Sequence, residues 1–371
     1  MKFSVSSTDL LKHLQLANGA IGSNPVLPIL EDFLFSITEN RLTISATDLE
    51  TSITTKLDVT SDGDGAVAVP AKILLDTLKA LPGQPVTISV SEDNYAIEIT
   101  SAYGKYKLVG ENGTDFPRIP EAEDVEAVSM PSATLLQGIT KTVFATSNDE
   151  LRPAMTGVLF QLDENKITFV ATDAHKLVRY TFSNITSNVN TTFVVPKKAL
   201  GLLKGALSSG EAVQVSFNKS NAFFSYGNVK MVCRLIDARY PDYNAVIPVN
   251  NPNLMTVNRR ELQDSMKRIA IFANKTTNQV ILNIADGSLT VSAQDLDFSN
   301  EATEQMSCQY TGEPMMIGFN AKFLVEMLGV LESDDVRIEL STPTRAGILR
   351  PVEQPDSEEI MMLVMPVMLS N

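Results

Sequence analysis

One five-residue phrase occurs three times at nearly even spacing along this 371-residue chain. The copies occupy residues 46–50, 171–175 and 293–297, and each has an aspartate at its third position. Consecutive aspartates lie 125 and 122 residues apart, close to one third of the chain. A fixed period of this length indicates one domain repeated three times, and each third has an ordinary domain size. The predicted domains are 1–124, 125–250 and 251–371.

Local patterns around the phrase predict the elements of each repeat. Two alternating apolar segments, separated by a polar turn, precede each copy and predict strands. Asp48, Asp173 and Asp295 then follow a strand end, where a carboxylate commonly accepts hydrogen bonds from turn amides. Two amphipathic helices are predicted in each third, with Ser7, Ser132 and Asn258 as candidate N-caps. The helix segments are 7–19, 71–81, 132–145, 197–207, 258–273 and 320–331.

These elements predict an α+β fold in which strands contribute more residues than helices. A strand follows each helix, so each third is predicted to consist of two similar halves, although the halves resemble each other less than the thirds do. Closely spaced prolines, asparagines or acidic residues mark the expected domain boundaries near residues 120–124 and 248–253.

Composition excludes several classes of protein. Met1 leads directly into a predicted strand, so no signal peptide is expected. The most apolar run, 360–369, is too short to span a bilayer. Cys233 and Cys308 lack metal-ligand spacing and fit a reducing compartment. Since no phosphate-binding glycine loop is present either, we expect a cytoplasmic protein without a metal or cofactor.

Charge is distributed unevenly between helices and the rest of the chain. The net charge is −14, which taken alone argues against nucleic acid. The predicted helices, however, contain twelve basic and five acidic residues, a net of +7, which leaves −21 for strands and loops. The basic residues are Lys12, Lys72, Lys79, Lys141, Lys197, Lys198, Lys204, Arg259, Arg260, Lys267, Arg268 and Lys322.

A positive helical face of this kind suits the phosphate backbone of DNA. Three helices carry basic residues seven positions apart, about two turns, so each such pair shares a face. Few aromatic residues interleave with them, which favours sequence-independent phosphate contacts over reading of base edges. Lysine-rich solvated helix faces are the alternative interpretation for any one helix.

The chain resembles the bacterial sliding clamp, the beta subunit of DNA polymerase III, over its full length. The resemblance rests on five motifs in the family's order: residues 1–3, 27–30, 172–177, 239–243 and 364–369. It implies three clamp domains per chain, each with two helices on antiparallel sheets, and a head-to-tail homodimer that closes a six-domain ring around double-stranded DNA. It also implies that Tyr106 and Leu108 contact Ile271 and Phe272 of the other copy.

The resemblance further implies a pocket for short apolar peptides of polymerases, the clamp loader and repair proteins. Matching positions are Met155, Thr172, Ala174, His175, Lys176, Leu177, Pro241, Val246, Leu363, Val364, Met365, Pro366, Val367 and Met368. Basic family positions are occupied here by Asn24, Asn244, Ala245 and Met368, which predicts a changed DNA contact and a less basic pocket rim.

Two other functions stay open from the residues alone. One is a repeat-built scaffold that binds peptides and has no DNA role. The other is a hydrolase that uses Asp173 and His175, although no nucleophile motif or metal-ligand set accompanies this pair. We therefore expect a non-enzymatic clamp that holds a polymerase on its template by topological linkage.

Overall fold

The computed structural model describes residues 1–123, 125–185, 187, 189–207 and 210–369. The first third contains β1 (Lys2–Ser6), α1 (Ser7–Ala17), β2 (Asp32–Thr38), β3 (Arg41–Thr47), β4 (Thr51–Asp58), β5 (Thr60–Ser61), β6 (Gly65–Pro70), α2 (Ala71–Ala80), β7 (Pro85–Val90), β8 (Ala96–Thr100), β9 (Lys105–Val109) and β10 (Glu111–Asn112).

The other two thirds repeat this order. The middle third contains β11 (Glu126–Pro131), α3 (Ser132–Thr142), β12 (Gly157–Asp163), β13 (Lys166–Thr172), β14 (Lys176–Ser183), β15 (Thr191–Pro196), α4 (Lys197–Ala206), β16 (Ala212–Phe217), β17 (Asn221–Tyr226) and β18 (Val229–Arg234). The last third contains β19 (Asn253–Asn258), α5 (Arg259–Ile269), β20 (Gln279–Ala285), β21 (Ser288–Asp295), β22 (Asn300–Ser307), β23 (Gln309–Thr311), β24 (Met315–Asn320), α6 (Ala321–Gly329), β25 (Asp335–Leu340), β26 (Gly347–Pro351) and β27 (Glu358–Val364).

Each third consists of two halves with the order strand, helix and three strands, as the sequence predicts. All six predicted helices form, and short 3-10 turns extend α1, α3 and α5. Asn258 caps α5 by accepting a hydrogen bond from the amide of Glu261 at 3.1 Å. The prediction that Ser7 caps α1 is wrong: the Ser6 hydroxyl accepts from the Asp9 amide, because the Ser7 hydroxyl is instead bonded to Pro82 and Gln84.

The repeated aspartates are turn residues, as predicted. Asp48 Oδ1 accepts hydrogen bonds from the amides of Glu50 and Thr51, and Asp173 Oδ1 accepts from those of His175 and Lys176. Asp295 Oδ1 accepts from the amide of Asp297 at 3.2 Å. Each carboxylate thus satisfies amides that would otherwise lack a partner at the end of a strand.

The chain forms two compact units, Met1–Ala133 with Lys198–Leu235 and Thr134–Lys197 with Ile236–Asn371. The first unit contains a five-stranded sheet in the order β5-β1-β7-β8-β9 and a nine-stranded sheet in the order β10-β6-β2-β3-β4-β18-β17-β16-β11. The second contains a nine-stranded sheet in the order β15-β12-β13-β14-β27-β26-β25-β19-β23 and a four-stranded sheet in the order β22-β21-β20-β24. All of these strand pairs are antiparallel.

Two strand pairings join one repeat to the next. In the first unit β4 pairs with β18 from Thr55↔Val229 to Thr51↔Cys233. In the second unit β14 pairs with β27 from Lys176↔Val364 to Phe182↔Glu358. Helices cover one face of the sheets: α1 buries Leu10 and Leu14 completely against its sheet, and burial of each such side chain contributes about 2 kcal/mol.

Asp32 at the start of β2 is a buried acid whose replacement should change the pH dependence of stability. Burial raises its pKa to about 6, with further contributions from Glu111 and Glu31. The folded protein therefore binds more protons than the unfolded chain between about pH 4 and 6, so Asp32 lowers stability as the pH rises through this window. We expect Asp32→Asn to melt about 2–4 °C higher than the parent at pH 8 and to match it at about pH 3.5, below both pKa values. Calorimetry at both pH values measures this, and exposed Asp93→Asn is the control; an equal gain at both pH values would contradict the assignment.

Candidate functional site

Ten of the twelve helix cations predicted to face DNA have exposed side chains. Four of the ten contact a neighbour: Lys198 pairs with Asp48, Lys197 Nζ lies 3.1 Å from Asn148 Oδ1, Lys267 pairs with Asp264, and Arg268 donates two hydrogen bonds to Glu304. The other six form no salt bridge with any residue that the structure describes. They are Lys12, Lys72, Lys79, Lys204, Arg260 and Lys322.

Lys141 and Arg259 are not available to a ligand, because the protein itself occupies their charged groups. Lys141 is buried, with its Nζ 2.9 Å from Glu358 Oε2 and 4.8 Å from the centroid of the Tyr180 ring. Arg259 donates from Nε to the Ser333 carbonyl and from Nη1 to the Leu328 carbonyl. Both cations hold a helix to a neighbouring segment, which a charge count along the sequence cannot reveal.

Each of the four sheets in the described part of the chain ends in two edge strands, and β9 and β22 are edges of the two smaller sheets. In the first unit β9 ends the five-stranded sheet, and in the second unit β22 ends the four-stranded sheet. Of the two interface residues predicted on β9, Tyr106 is half-buried and Leu108 is only 7% exposed. Ile271 and Phe272, which follow α5, are 65% and 40% exposed. Ile271 and Phe272 are therefore unusually accessible for large apolar side chains.

A surface cavity of about 580 Å³ lies between α2 and β9 in the first unit. Ile73, Leu81 and Tyr106 supply apolar lining, and Lys72 and Asp76 also border it. Ile73 is 52% exposed although it belongs to an otherwise well-packed helix. This cavity gives the sheet edge at β9 an apolar depression large enough for bulky side chains.

Several of the residues predicted to form a peptide pocket lie at one end of the β14–β27 pairing in the second unit. Leu177 pairs with Leu363 and Lys176 with Val364, and the Met365 amide donates to the His175 carbonyl at 2.8 Å. Leu177, Leu363, Val364 and Thr172 are buried in this region. Met155, Ala174, His175, Pro241, Val246, Met365, Pro366, Val367 and Met368 are half-buried or exposed.

Beneath this surface is an apolar cluster that the sequence prediction largely missed. Leu177 and Leu363 belong to it, together with Leu159, Val170, Val194, Ala346, Ile348 and Met361. The linker after β18 packs against the cluster through Ile236, Tyr240, Tyr243 and Ile247. Tyr240 donates its hydroxyl to the Val170 carbonyl and Tyr243 donates to Gln161 Oε1 at 3.0 Å. Burial raises the pKa of Tyr240, so it remains a hydroxyl donor.

Lys176 at the start of β14 is held by two acids and two aromatic rings. Its Nζ lies 2.6 Å from Glu326 Oε2 and 3.7 Å from Asp173 Oδ2. The same atom is 4.5 Å from the centroid of the Phe323 ring and 5.7 Å from that of Phe144, a cation–π geometry. Lys176 is therefore a compensated cation and not a free charge at the rim. Glu326 lies 150 residues from Lys176 along the chain, so no local sequence pattern connects the two.

The turn that precedes Lys176 has a constrained backbone. Ala174 has φ +77°, in the left-handed region that costs a residue with a side chain energy. The Thr172 hydroxyl donates to the Lys176 carbonyl and accepts from the Ala174 amide, which stabilises this conformation. Leu49, the equivalent residue of the first phrase, also has φ +77°. The turn therefore presents His175 at a fixed position.

His175 has the surroundings of a binding residue. Its ring stacks on that of Phe323 with centroids 6.3 Å apart and an interplanar angle of 24°. The Asp173 carboxylate accepts from the His175 backbone amide, and its bonds do not orient the imidazole as a base. Within the described residues, no group of three or more His, Cys, Asp or Glu side chains could hold a metal ion. The structure also contains, in its described part, no helix long and apolar enough to cross a membrane.

Comparisons with known proteins agree on one family. Models of the N-terminal, central and C-terminal domains of the DNA polymerase III beta subunit match residues 1–120, 129–242 and 244–367. The beta sliding clamp of Vibrio cholerae is 31% identical over 373 residues and covers 100% of both chains. That of Synechococcus elongatus is 30% identical over 382 residues with the same coverage.

Solved structures give the same result. The DNA polymerase sliding clamp of Bacillus subtilis superposes with a TM-score of 0.95 at 26% identity and covers 100% of both chains. The sliding clamp of Pseudomonas aeruginosa bound to griselimycin gives 0.93 at 27% identity, also over 100% of both. The chain belongs to the DNA polymerase III beta subunit family, the non-enzymatic DNA sliding clamps that make the polymerase processive.

Proposed function

We propose that two copies of this chain join head to tail into a ring that encircles duplex DNA in the cytoplasm. Residues 1–124, 125–250 and 251–371 are its three domains in this proposal. The number of strands in each sheet supports this proposal. Each junction between repeats lies within a nine-stranded sheet, whereas the edge strands β9 and β22 belong to sheets of five and four strands. Pairing β9 with β22 of a second copy would complete a third nine-stranded sheet and remove both exposed edges.

The two edges have complementary charge. Lys105 and Lys107 lie on β9, where both pair with Glu98, while Glu301 and Glu304 lie on β22, where Glu304 pairs with Arg268. These side chains can pair across the two edges by exchanging their present partners. Opposite charges across neighbouring strands favour pairing, and like charges would disfavour two β9 edges or two β22 edges meeting. The head-to-tail arrangement is therefore the one that these side chains support, and each dimer would contain two identical contacts of this kind.

Apolar side chains add to the proposed contact. Ile271 and Phe272 lie in the short turn after α5, and this turn packs on β22. The cavity between α2 and β9 offers them an apolar receptor lined by Ile73, Leu81 and Tyr106. We propose that the two side chains of one copy enter this cavity of the other, with Leu108 supporting its floor.

The exposed helix cations would contact DNA from inside the ring. Lys12, Lys72, Lys79, Lys204, Arg260 and Lys322 form our primary set, and Lys197, Lys198, Lys267 and Arg268 can join it by exchanging their present partners. Lysine and arginine contacts to phosphate do not depend on sequence and weaken with salt. Loose contacts of this kind are compatible with sliding, and the negative remainder of the chain disfavours binding elsewhere.

The surface around His175, Pro241, Val246, Met365 and Met368 would hold short apolar peptides of the polymerase and of other replication and repair proteins. Apolar walls with accessible methionines can adapt to several partners. Asn244, Ala245 and Met368 carry no charge, so we expect partner peptides to bind through apolar residues without needing an acidic one. Two solved sliding clamps that are similar to this chain are bound to griselimycin, which supports ligand binding by clamps of this family.

Retention on circular DNA tests the proposed function. The protein, loaded onto a nicked circle by a clamp loader, should remain bound through gel filtration in high salt and should be released when the circle is cut. Topological linkage predicts this because a ring can leave only by an end. Retention of the protein on the cut DNA would contradict a ring. Dissociation from the intact circle at the same rate as from the cut DNA would contradict it too.

Charge reversal separates the clamp from a peptide-binding scaffold without a DNA role. The variant Lys12→Glu/Lys79→Glu/Lys204→Glu/Arg260→Glu should lose loading onto DNA and processive synthesis while keeping its dimer and peptide binding, because it repels phosphate. Reversal of Lys2, Lys166, Lys219 and Arg345, which lie outside the helices, is the matched control and should retain DNA loading, processive synthesis, the dimer and peptide binding. A scaffold would be unaffected by either change.

A further inference from the structure

A cavity of about 630 Å³ lies in the first unit on the face of the nine-stranded sheet that points away from α1. Thr55 faces α1, since its hydroxyl is hydrogen-bonded to His13, so the neighbouring Thr54 and Lys56 face the other side. The cavity floor follows register pairs across adjacent strands, such as Leu34↔Ser45, Ser45↔Thr54 and Thr54↔Lys230. Its volume is that of an ordinary small-ligand pocket.

The linker that follows the first third forms one wall of this cavity. Phe116 anchors it in a cluster with Ile29 and Ala68, and Ile119 packs beside it next to Leu34. Pro117 and Pro120 restrict the backbone between and after these anchors. On the opposite side, Phe223 and Val232 pair across β17 and β18 and close the floor with apolar surface. The wall and floor are therefore held in place by packing.

The cavity also collects uncompensated positive charge. Lys56 and Lys230 lie on the adjacent strands β4 and β18 as diagonal neighbours, and Arg118 lies on the linker. None of the three forms a salt bridge with a residue in the described part of the chain. In a protein with a net charge of −14, these three cations outnumber the two acids that line the cavity, Glu121 and Glu123, which favours an anionic ligand at the sheet face where Lys56 and Lys230 lie.

The second unit shows why this cavity is open. The 125-residue offset makes Ser45 equivalent to Val170, and the strand register makes Lys230 equivalent to Met361. Val170 and Met361 belong to the apolar cluster on which Tyr240 and Tyr243 of the second linker pack. The first linker packs Phe116 and Ile119 against only one end of its sheet, so the polar centre of that sheet face remains accessible.

We propose that this cavity binds a short peptide segment of a partner protein in which acidic residues flank an apolar one. The carboxylates would meet Lys56 and Lys230, and the apolar side chain would pack among Phe116, Ile119 and Phe223. Glu121 and Glu123 are exposed on the same linker and border the cavity. They would repel a continuous phosphate backbone, whereas a peptide can place its few charges away from them.

Fluorescence anisotropy with the full-length protein tests the proposal. The probes are the labelled pentapeptide Glu-Leu-Asp-Phe-Glu and its amide counterpart Gln-Leu-Asn-Phe-Gln. We expect the acidic probe to bind at least roughly ten-fold more tightly at low salt. Lys56→Glu/Lys230→Glu should abolish that preference, and both sites are on a solvent-accessible face, so folding should be retained and can be verified by melting.

Two control variants locate the site. Lys219→Glu removes a lysine of the same unit that does not line the cavity and should leave binding unchanged. Met365→Asp/Met368→Asp, which alters the other peptide surface, should also leave it unchanged. The proposal would be overturned if the two probes bound equally, or if Lys219→Glu weakened binding as much as Lys56→Glu/Lys230→Glu does. It would also be overturned if duplex DNA displaced the acidic probe at a lower concentration than the unlabelled peptide does.

Discussion

Ile271→Ala/Phe272→Ala should convert the dimer into monomers at micromolar concentration. Each side chain is large, apolar and exposed in the single chain, as expected for the centre of an interface. Truncation of such a residue commonly costs about 2 kcal/mol. Because a head-to-tail pair contains the contact twice, the four lost side chains should cost about 8 kcal/mol and raise the dissociation constant by roughly six orders of magnitude.

Light scattering and analytical ultracentrifugation over a dilution series measure this change. Leu151→Ala is the matched control, since Leu151 is 92% exposed and outside both sheet edges, and it should leave the dimer intact. The monomeric variant should melt nearly like its parent within each unit and should still bind ligand at the pocket near His175, but it should not be retained on circular DNA. A stable dimer of the double variant would place the interface elsewhere.

The local features of this fold could be predicted from the sequence because short-range physics determines them. The helices follow from apolar spacing that matches a helical turn, and the turns at Asp48, Asp173 and Asp295 follow from carboxylates next to backbone amides. The repeat then transfers each assignment from one third to the next. The predicted N-cap of α1 was nevertheless wrong by one residue. Ser6 and Ser7 have the same side-chain chemistry, and only tertiary contacts determine which of them caps the helix.

Features that join distant segments were not predictable from the chain's local patterns. The sequence around Lys141 is typical of a solvated helix lysine, but Lys141 forms a salt bridge with Glu358, which lies 217 residues away along the chain. Lys176 meets Glu326 across 150 residues. The apolar cluster under Tyr240 and Tyr243 likewise combines strands from two repeats. Such contacts depend on which strands pair across a junction, and no periodicity encodes that choice.

The peptide surface near His175 should lose most of its affinity in Met365→Asp/Met368→Asp. Both methionines are accessible, 41% and 67% exposed, so the changes should not disturb the buried β14–β27 pairing. An aspartate at either position would have to lose water beside apolar walls when a ligand binds. Two such contacts at about 2 kcal/mol each predict affinity weaker by roughly three orders of magnitude.

Griselimycin, which the Pseudomonas aeruginosa clamp binds, is the probe, and calorimetry with the full-length dimer is the measurement. Val352→Asp is the control, because Val352 is 40% exposed in the same unit but lies in the turn between β26 and β27. It should bind griselimycin like the parent. The double variant should still form dimers and remain on circular DNA while it no longer stimulates the polymerase, because encirclement and partner binding use different surfaces. Unchanged griselimycin affinity in the double variant would show that these methionines do not form the pocket.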